Sequence, residues 1–375
     1  MSERRSQVCT TGAMSAVLLI AFSIAALVFS AGVAQETAKG STPVIYCTDL
    51  FHPPDDPDDW FDLATVFSLG EFDLRGIVLD QGEKQLKKPG RIPIEQLMAI
   101  TGKKVPFASG LPNKLNSPSD KGLDQPEKFQ AGINLIFKVL SESDRKVTLI
   151  TVGSLRDVCA AFNREPKLLK AKIEKLYISA GNSDGGSEYN VDLDPHAYVG
   201  VMRSGLPIYW LPCFGKEPYV SRWQFKQGDL MDGWSLKVQN YFYYGLMNVN
   251  PAEVDPVKAL DKPISEEVKK KVWAMDRSMW STPAFIDAAG KTAAFKQRRW
   301  QVISKDEAGE AEPEFRFVPA KVTISDKAVT RFEDVDAKSS APNMHIFCFA
   351  GTLTDYNDAM RRALEGLLGG LGKAR

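Results

Sequence analysis

Five aspartates are crowded between Asp49 and Asp59, in the stretch VIYCTDLFHPPDDPDDWFDLATVF that covers residues 44–67. The stretch begins with an apolar run typical of a buried strand and continues into a helical pattern. Calcium takes about six to eight oxygen ligands, often from carboxylates and backbone carbonyls. Crowded carboxylates raise each other's pKa unless a cation neutralises them. The cluster therefore predicts a site for a hard cation such as calcium.

The same aspartates have a second interpretation, in which they only stabilise a helix. Asp58, Asp59 and Asp62 fall in the first turn of the predicted helix whose body is WFDLATVF. Acidic side chains in a first turn interact favourably with the helix dipole and can cap free N–H groups. Charge placement alone favours this capping role, so the residue types by themselves leave both interpretations open.

Strand-like apolar runs alternate with amphipathic helical segments along the first part of the chain. The runs are VIYC (44–47), LRGIVL (74–79), VTLITV (147–152), KLYISA (175–180) and PIYWLP (207–212). This alternation predicts an α/β fold with a mostly parallel central sheet and helices on both faces. Ligand sites in such sheets lie beyond the carboxyl ends of the strands. The aspartate cluster, VGSLRD and AGNSDGG all follow strand ends, so we expect the site there.

Residues 1–34 differ from the rest of the chain. Arg4 and Arg5 precede the uncharged segment AMSAVLLIAFSIAALVFSAGVA, and a polar segment follows it. This pattern predicts a secretory signal cleaved after Ala34, while the length of the apolar run leaves an uncleaved membrane anchor as the alternative. We therefore expect an exported protein, periplasmic or extracellular, that contacts a membrane only through this segment. Residues 35–375 are predicted to form one α/β domain.

The 47 basic and 47 acidic side chains give a formal charge of zero, which argues against a nucleic-acid partner. The composition is compatible with a homo-oligomer. Beyond the N-terminal segment the cysteines are widely spaced, without a C-x-x-C pair, and we expect buried free thiols. They are Cys47, Cys159, Cys213 and Cys348.

The aspartate-rich stretch resembles the start of the inosine-uridine-preferring nucleoside hydrolase family. Members of that family open with a strand, the pattern D-x-D-x-x-x-D-D and an apolar helix. In CTDLFHPPDDPDDWFDLA, Cys47 replaces the first aspartate, Asp49 matches the second, and Asp58 and Asp59 match the final pair. Eight residues separate Asp49 from Asp58, where the family pattern has three.

Two later segments extend the resemblance. LITVGSLRDVCAAFNREPKL is similar to the family's T-G-P-L-T-N segment, in which a backbone carbonyl binds calcium, and that position falls on Val152. YISAGNSDGGSEYNVDLDPHAYVGV is similar to the family's M-G-G turn and E-F-N-x-x-x-D-P block. Asn182, Glu188 and Asn190 fall where the family places its ribose-contacting side chains.

The resemblance implies a fold, a cofactor and a reaction. A calcium ion held by Asp49, Asp59 and the Val152 carbonyl would orient a ribose diol and a water, and Asp58 would be the general base. Ribose-contacting side chains would hold the sugar near an oxocarbenium-like geometry. The bond cleaved would be the N-glycosidic bond of a ribonucleoside or a related ribosyl compound, with the small-molecule substrate as the main partner.

The chain departs from the family pattern in two places. For the family's late histidine–aspartate pair, WSTPAFIDAAGK offers Asp287 as a calcium ligand, with Ile286 in place of the histidine. For the family's second-strand asparagine, LDQGEK offers Glu83 or Asp80. His52 lies in the enlarged loop and is a candidate ligand or acid; the alternative is an ordinary exposed loop histidine.

Three other functions compete with hydrolysis. A nucleoside- or sugar-binding envelope protein that has lost turnover would explain the missing histidine. An aspartate-nucleophile phosphatase usually needs D-x-D, whereas Phe51 lies two residues after Asp49. A purely structural envelope protein would bind neither metal nor ligand.

Overall fold

Runs rich in valine, isoleucine, leucine and aromatic residues form the strands, because these side chains pack well on a pleated surface that is buried on both faces. The computed structural model describes residues 40–309, 311–334 and 341–373. The predicted signal or anchor at residues 1–34 lies outside the described residues. The strands are β1 (Thr42–Thr48), β2 (Phe72–Leu79), β3 (Phe107–Ser109), β4 (Val147–Thr151), β5 (Ile173–Ser179), β6 (Ile208–Leu211), β7 (Trp223–Lys226), β8 (Asp276–Met279), β9 (Lys291–Lys296), β10 (Arg299–Ser304), β11 (Phe315–Ile324), β12 (Thr330–Asp334) and β13 (Met344–Phe349).

Nine of these strands form one sheet in the order β12-β11-β13-β6-β5-β4-β1-β2-β3. Every neighbouring pair from β13 to β3 is parallel. Strand β11 runs antiparallel to both β13 and β12. The remaining strands form the two-stranded sheets β9–β10 and β7–β8. The predicted α/β fold with a mostly parallel sheet is confirmed.

Helices cover both faces of the sheet. They are α1 (Asp58–Ser68), α2 (Gly82–Gln85), α3 (Arg91–Thr101), α4 (Ala131–Glu142), α5 (Arg156–Arg164), α6 (Pro166–Lys172), α7 (Tyr189–Leu193), α8 (Pro195–Met202), α9 (Gly228–Met231), α10 (Leu236–Leu246), α11 (Pro256–Ala259), α12 (Glu266–Trp273), α13 (Thr282–Ala288), α14 (Lys305–Ala308) and α15 (Leu353–Gly369). Along β1, Val44 and Tyr46 join one hydrophobic cluster, while Ile45 and Cys47 join the other. This two-residue alternation places a packed layer on each side of the sheet.

The segment SLRDVCAAFNREPKLL, predicted as helical, forms two helices instead of one. Helix α5 ends at Arg164, and α6 begins at Pro166. A residue before proline is pushed away from the helical conformation, and Glu165 has φ −132° and ψ 62°. The break shortens α5 without moving it off the sheet.

Aromatic side chains of α10 anchor the helix that carries the aspartates. The Trp60 ring packs against Tyr241 with 4.9 Å between centroids, and Phe61 stacks on Phe242 at 4.2 Å. The Tyr241 hydroxyl donates to the Trp60 carbonyl at 3.0 Å, and the Trp60 indole donates to the Phe51 carbonyl at 2.9 Å. The start of α1 is therefore fixed on one side of the sheet.

The described residues fall in one compact unit. Cys47, Cys159 and Cys213 are buried free thiols, and Cys348 is buried as well. No helix of the described residues combines the length and the apolar character needed to cross a membrane.

Candidate active site

A cavity of about 390 Å³ opens beyond the carboxyl ends of the central strands. Residues that end or follow four neighbouring strands line it: Asp49 after β1, Val152 after β4, Ser179 at the end of β5 and Cys213 after β6. The first residues of α1 and the segment at α7 complete the wall. This is the edge of the sheet at which the sequence predicts a site.

Asp49 is the most buried of the clustered aspartates that line the cavity. Asp49 is the residue directly after β1, and it is 8% exposed. Burial, followed by the charge of Asp80, raises the pKa of Asp49 to about 8. Lys84 acts in the opposite direction and lowers it. Keeping Asp49 ionised at neutral pH therefore costs free energy unless positive charge is added nearby.

Asp58 and Asp59 are the first two residues of α1 and are partly buried at the cavity wall. Burial raises the pKa of Asp58 well above its usual range, and the charges of Asp56, Asp62 and Asp49 raise it further. Burial also raises the pKa of Asp59, followed by the charges of Asp49 and Asp58.

The start of α1 is not capped by an aspartate side chain. Its N-cap residue is Pro57, which makes no side-chain cap hydrogen bond. Asp59 instead accepts a hydrogen bond from the Thr48 hydroxyl at 2.8 Å. The side-chain capping interpretation therefore does not account for the cluster, although the helix dipole still favours acids at this end.

Asn190 joins the ends of two neighbouring strands. Its side-chain nitrogen donates to the carbonyl of Val152 at 3.1 Å and to the carbonyl of Ser179 at 3.0 Å. The Val152 N–H in turn donates to the Cys47 carbonyl at 3.0 Å. A carbonyl oxygen has two lone pairs, so the hydrogen bond from Asn190 leaves Val152 with one more.

Glu188 lines the cavity and caps the short helix α7. Its carboxylate accepts hydrogen bonds from the N–H groups of Gly181 at 2.8 Å, Asn190 at 3.0 Å and Val191 at 3.1 Å. Burial raises its pKa, and the hydrogen bond from Asn190 opposes that shift most strongly. Gly181 has φ +90°, a conformation that glycine adopts without strain. Glu188 therefore fixes the backbone that carries Asn190.

Sequence comparison identifies the family. A model of the inosine-uridine preferring nucleoside hydrolase family matches residues 48–248, more than half of the chain. The chain belongs to this family. The pyrimidine-specific ribonucleoside hydrolase RihA of Enterobacter sp. (strain 638) is 30% identical over 187 residues, which are 44% of this chain and 58% of that protein. RihA of Salmonella arizonae is 27% identical over 187 residues, again 44% of this chain and 58% of that protein.

The solved structures similar to this one include nucleoside hydrolases. The purine-preferring ribonucleoside hydrolase from Gardnerella vaginalis gives a TM-score of 0.55 at 14% identity, covering 88% of this chain and 99% of that one. A plant nucleoside hydrolase, PpNRh1, gives 0.53 at 14% identity, with 89% and 99% covered. These similarities establish the fold. The chain spans only 58% of the length of the first RihA relative.

Asp287 is not part of the cavity of this nucleoside hydrolase family member. Its buried carboxylate accepts hydrogen bonds from the Tyr177 hydroxyl at 2.5 Å and from the Lys305 ammonium at 2.6 Å. Asp287 is the sixth residue of α13, so it lies about 8 Å along the helix axis from the first. The structure therefore does not place Asp287 with Asp49, as the resemblance predicts. Ser281, just before α13, lines the cavity instead.

His52 and Glu83 also lie away from the cavity lining. His52 is 1% exposed, its ring packs between Trp60 and Tyr244, and its Nε2 lies 2.7 Å from the Val249 carbonyl oxygen. Burial lowers the pKa of this imidazole. The expectation of an exposed loop histidine is wrong, because the aromatic residues around α10 enclose the ring. Glu83 is exposed on α2.

Asn182 organises a turn beside the cavity but does not line it. Its side-chain oxygen accepts from the Asp184 N–H at 2.8 Å, and its backbone pairs with Phe214. At the end of β2, Asp80 is the buried acid of LDQGEK. Asp80 accepts from the Ser154 N–H at 2.8 Å and so ties the turn after β4 to β2.

Sequence reasoning missed the aromatic part of the cavity wall, formed by Tyr189, Phe214 and Trp280. Tyr189 directly follows Glu188, and Phe214 follows the end of β6. Trp280 directly precedes Ser281, the residue before α13. Their positions next to segments that resemble the family were the available signal. Which rings face the cavity depends on packing between distant elements, which spacing along the chain does not encode.

The enlarged loop contributes two further acids to the cavity wall, and basic side chains hold both of them. Asp55 pairs with Lys84 and, at 2.6 Å, with Lys88. Asp56 pairs with Arg277 at 2.8 Å. The extra length of this loop therefore forms part of the cavity rim and does not extend freely into solvent.

Proposed function

We propose that this protein is a calcium-dependent hydrolase of the N-glycosidic bond of ribonucleosides, with Asp58 as the general base. One observation carries the proposal: Asp49, Asp58, Asp59, Glu188 and Asn190 line one cavity at the carboxyl edge of the sheet, in a chain that belongs to the nucleoside hydrolase family. Export to the periplasm or the extracellular space is proposed from the N-terminal sequence pattern alone.

The donor set favours a hard cation. Asp49, Asp59 and the Val152 carbonyl would supply oxygen ligands, the type that calcium prefers. The charge of Asp49 raises the pKa of Asp59, and a cation between them would offset that repulsion. Among the described residues, no group of three or more His, Cys, Asp or Glu side chains is arranged to hold a metal by itself. Water and substrate hydroxyls would therefore have to complete the coordination.

The protein's own residues have separate tasks in the proposed reaction. Asp58 removes a proton from the attacking water, whose oxygen forms a bond to the anomeric carbon while the carbon–nitrogen bond breaks. Glu188 holds the α7 backbone in place, and Asn190 lies where a ribose hydroxyl would be bound. When bound, calcium would supply positive charge that favours ionisation of a nearby water. The base leaves with the electron pair of the broken bond and takes up a proton from solvent, so the products are ribose and the free base.

A second candidate function is nucleoside or sugar binding without turnover. It is favoured by one observation: Ser281, just before α13, lines the cavity, whereas Asp287, which matches the aspartate of the family's late pair, does not. A hydroxyl is a weaker calcium ligand than a carboxylate and a poor proton donor to a leaving group. Such a protein would bind nucleosides but release no ribose.

The experiment is ribose release from a panel of ribonucleosides that includes uridine, cytidine, inosine and adenosine. Calcium-loaded protein is compared with protein treated with a chelator and then resupplied with calcium. The proposal expects release that stops on chelation and returns with calcium. Nucleoside binding by calorimetry without any release would favour the second candidate, and neither binding nor release would contradict both functions.

A further inference from the structure

Carboxylates are the charged side chains of the cavity wall. Among the described residues, six carboxylates line it, and none of the lining residues is a lysine, arginine or histidine. The six are Asp49, Asp55, Asp56, Asp58, Asp59 and Glu188. Lys84, Lys88 and Arg277 approach this set only through ion pairs with Asp55 and Asp56. The three basic side chains and one divalent ion carry five positive charges against six acids, so the cavity favours a cationic ligand over an anionic one.

Three aromatic rings lie in the same wall, and two of them are open to solvent. Tyr189 is 55% exposed and Phe214 is 38% exposed. Trp280 packs edge-on against Phe214 with 6.0 Å between ring centroids, and its indole donates to the Cys213 carbonyl at 3.1 Å. Because that hydrogen bond fixes the indole, Trp280 is a preorganised surface for a flat ligand. Aromatic faces attract cations, tryptophan most strongly.

Beside these rings, Tyr189 and Cys213 are both poor proton donors for the leaving group. Tyr189 has a phenol, but burial and the charges of Asp49 and Asp55 raise its pKa to about 12. Burial and then the charge of Glu188 raise the pKa of the Cys213 thiol well above its usual value. Both groups hold their protons too tightly for efficient general-acid catalysis. The base of a neutral nucleoside, however, departs with negative charge that a proton must offset.

We propose that the preferred substrate of this cavity is an N-ribosyl cation, of which ribosylpyridinium compounds are the simplest class. The inference rests on the proposed hydrolase function and specifies its substrate. When the carbon–nitrogen bond of a ribosylpyridinium breaks, its electron pair goes to the ring nitrogen and the base leaves neutral. Water adds to the anomeric carbon, and its proton passes to Asp58. No leaving-group acid is needed, and the positive ring fits the carboxylates and the aromatic faces.

A phosphate on the ribose would reverse the charge preference. The same carboxylates that favour a cationic ring repel an anion, and no basic side chain in the described part of the chain lines the cavity to receive it. A 5′-phosphorylated ribosylpyridinium is therefore a poor substrate despite carrying the same ring.

The first test compares three substrates with the calcium-loaded full chain: nicotinamide riboside, uridine and nicotinamide mononucleotide. General-acid catalysis is worth about 100-fold or more, so we expect kcat/KM for nicotinamide riboside to exceed that for uridine by about 100-fold. The mononucleotide should be cleaved at least tenfold less efficiently than the riboside. A tenfold loss corresponds to the free energy of about one close charge–charge repulsion. Equal or better cleavage of uridine overturns the substrate inference and leaves the hydrolase function intact.

A pair of substitutions tests whether the aromatic wall recognises the charge. Trp280→Leu removes the ring, and Trp280→Phe keeps an aromatic face as the matched control. We expect Trp280→Leu to lower the preference for nicotinamide riboside over uridine by about fivefold, the size of a partly exposed cation–π contact. Trp280→Phe should retain most of the preference. An unchanged ratio in Trp280→Leu overturns the role of this ring.

A binding measurement separates this inference from the hydrolase proposal. Titration calorimetry compares 1-methylnicotinamide, a pyridinium cation, with neutral nicotinamide. Tighter binding of the cation, by about tenfold, supports cation recognition even if no nucleoside is hydrolysed. Equal or weaker binding of the cation overturns the inference, whatever the hydrolase assay gives.

Discussion

The Asn190 side chain spans the ends of two neighbouring strands, donating to the Val152 carbonyl at 3.1 Å and to the Ser179 carbonyl at 3.0 Å. Val152 follows β4 and Ser179 ends β5. Both residues line the cavity that contains the aspartates. The position of the Val152 carbonyl, a proposed calcium ligand, therefore depends on a residue that is also proposed to contact the sugar.

Replacing Asn190 should affect both the stability and the metal site. In Asn190→Ala the two carbonyls lose their shared donor, and we expect a loss of about 1–3 kcal/mol in the free energy of unfolding. Calcium affinity should fall as well, because the Val152 carbonyl is no longer held. Urea unfolding and calcium titration measure the two effects. Asn113→Ala, at an exposed position, is the control, and unchanged calcium affinity in Asn190→Ala would contradict the link to Val152.

In the absence of calcium, the aspartate cluster should lower the stability of the folded protein. The charge of Asp49 raises the pKa of both Asp58 and Asp59, and the charge of Asp58 raises that of Asp59 further, which means that these negative charges repel. Asp59→Asn keeps an acceptor for the Thr48 hydroxyl and removes one charge, so we expect the calcium-free variant to be about 1 kcal/mol more stable than the unmodified protein. Added calcium should then stabilise the variant far less than the unmodified protein. Thermal unfolding with and without chelator measures this.

The control for that prediction is Asp144→Asn, whose side chain is 86% exposed in a loop. It should leave both the calcium-free stability and the calcium response unchanged. If calcium stabilises Asp59→Asn as strongly as the unmodified protein, Asp59 is not a ligand.

Asp287 should behave as a structural residue. Its carboxylate binds the Tyr177 hydroxyl and the Lys305 ammonium in a buried position. In Asp287→Asn the charge-assisted bond to Lys305 is lost, and we expect a destabilisation of about 1–3 kcal/mol. Calcium affinity and nucleoside turnover per folded molecule should not change. A large loss of calcium affinity would show that Asp287 reaches the ion after all.

Glu314 predicts a specific pH dependence of stability. Its carboxylate is buried, its Oε1 has no hydrogen-bond partner, and burial raises its pKa to about 7 from an ordinary value of 4.5. The folded state therefore holds this proton more tightly than the unfolded state does. The stabilisation is complete below about pH 4.5 and is lost as the pH rises through about 7.

Glu314→Gln removes the titration while keeping the shape of the side chain. We expect the variant to gain thermal stability relative to the unmodified protein between pH 5 and pH 8, because only the unmodified protein must ionise the buried acid. Glu312→Gln, at an exposed position two residues away, should show no such gain. Parallel pH profiles for the Glu314 variant and the unmodified protein would contradict the prediction.

Each central strand is a continuous apolar run bounded by turn or loop residues, so the sequence predicts the sheet well. Asp49 and Val152 line one cavity, because each lies directly after a parallel strand and the carboxyl ends of such strands share one edge. His52 and Asp287 were not predictable in this way. His52 is placed by the Tyr244 ring and the Val249 carbonyl, which lie nearly 200 positions away in the sequence. Asp287 lies away from the cavity because it is the sixth residue of α13 and not the first.

The aromatic wall illustrates the same limit. Trp280 and Phe214 come from different segments and meet only through the packing of the loop after β6 against the segment before α13. Neither ring belongs to a sequence pattern that predicts a ligand contact. Side chains at strand ends were therefore predictable from local order, whereas side chains placed by packing between loops were not.

The most direct test of the central claim is nucleoside hydrolysis by Asp58→Asn with calcium affinity measured on the same sample. The account predicts that ribose release falls by about 100-fold to 10,000-fold, the contribution of a general base, while calcium still binds through Asp49 and Asp59. Ribose release at the unmodified rate by a correctly folded, calcium-loaded Asp58→Asn variant would contradict it.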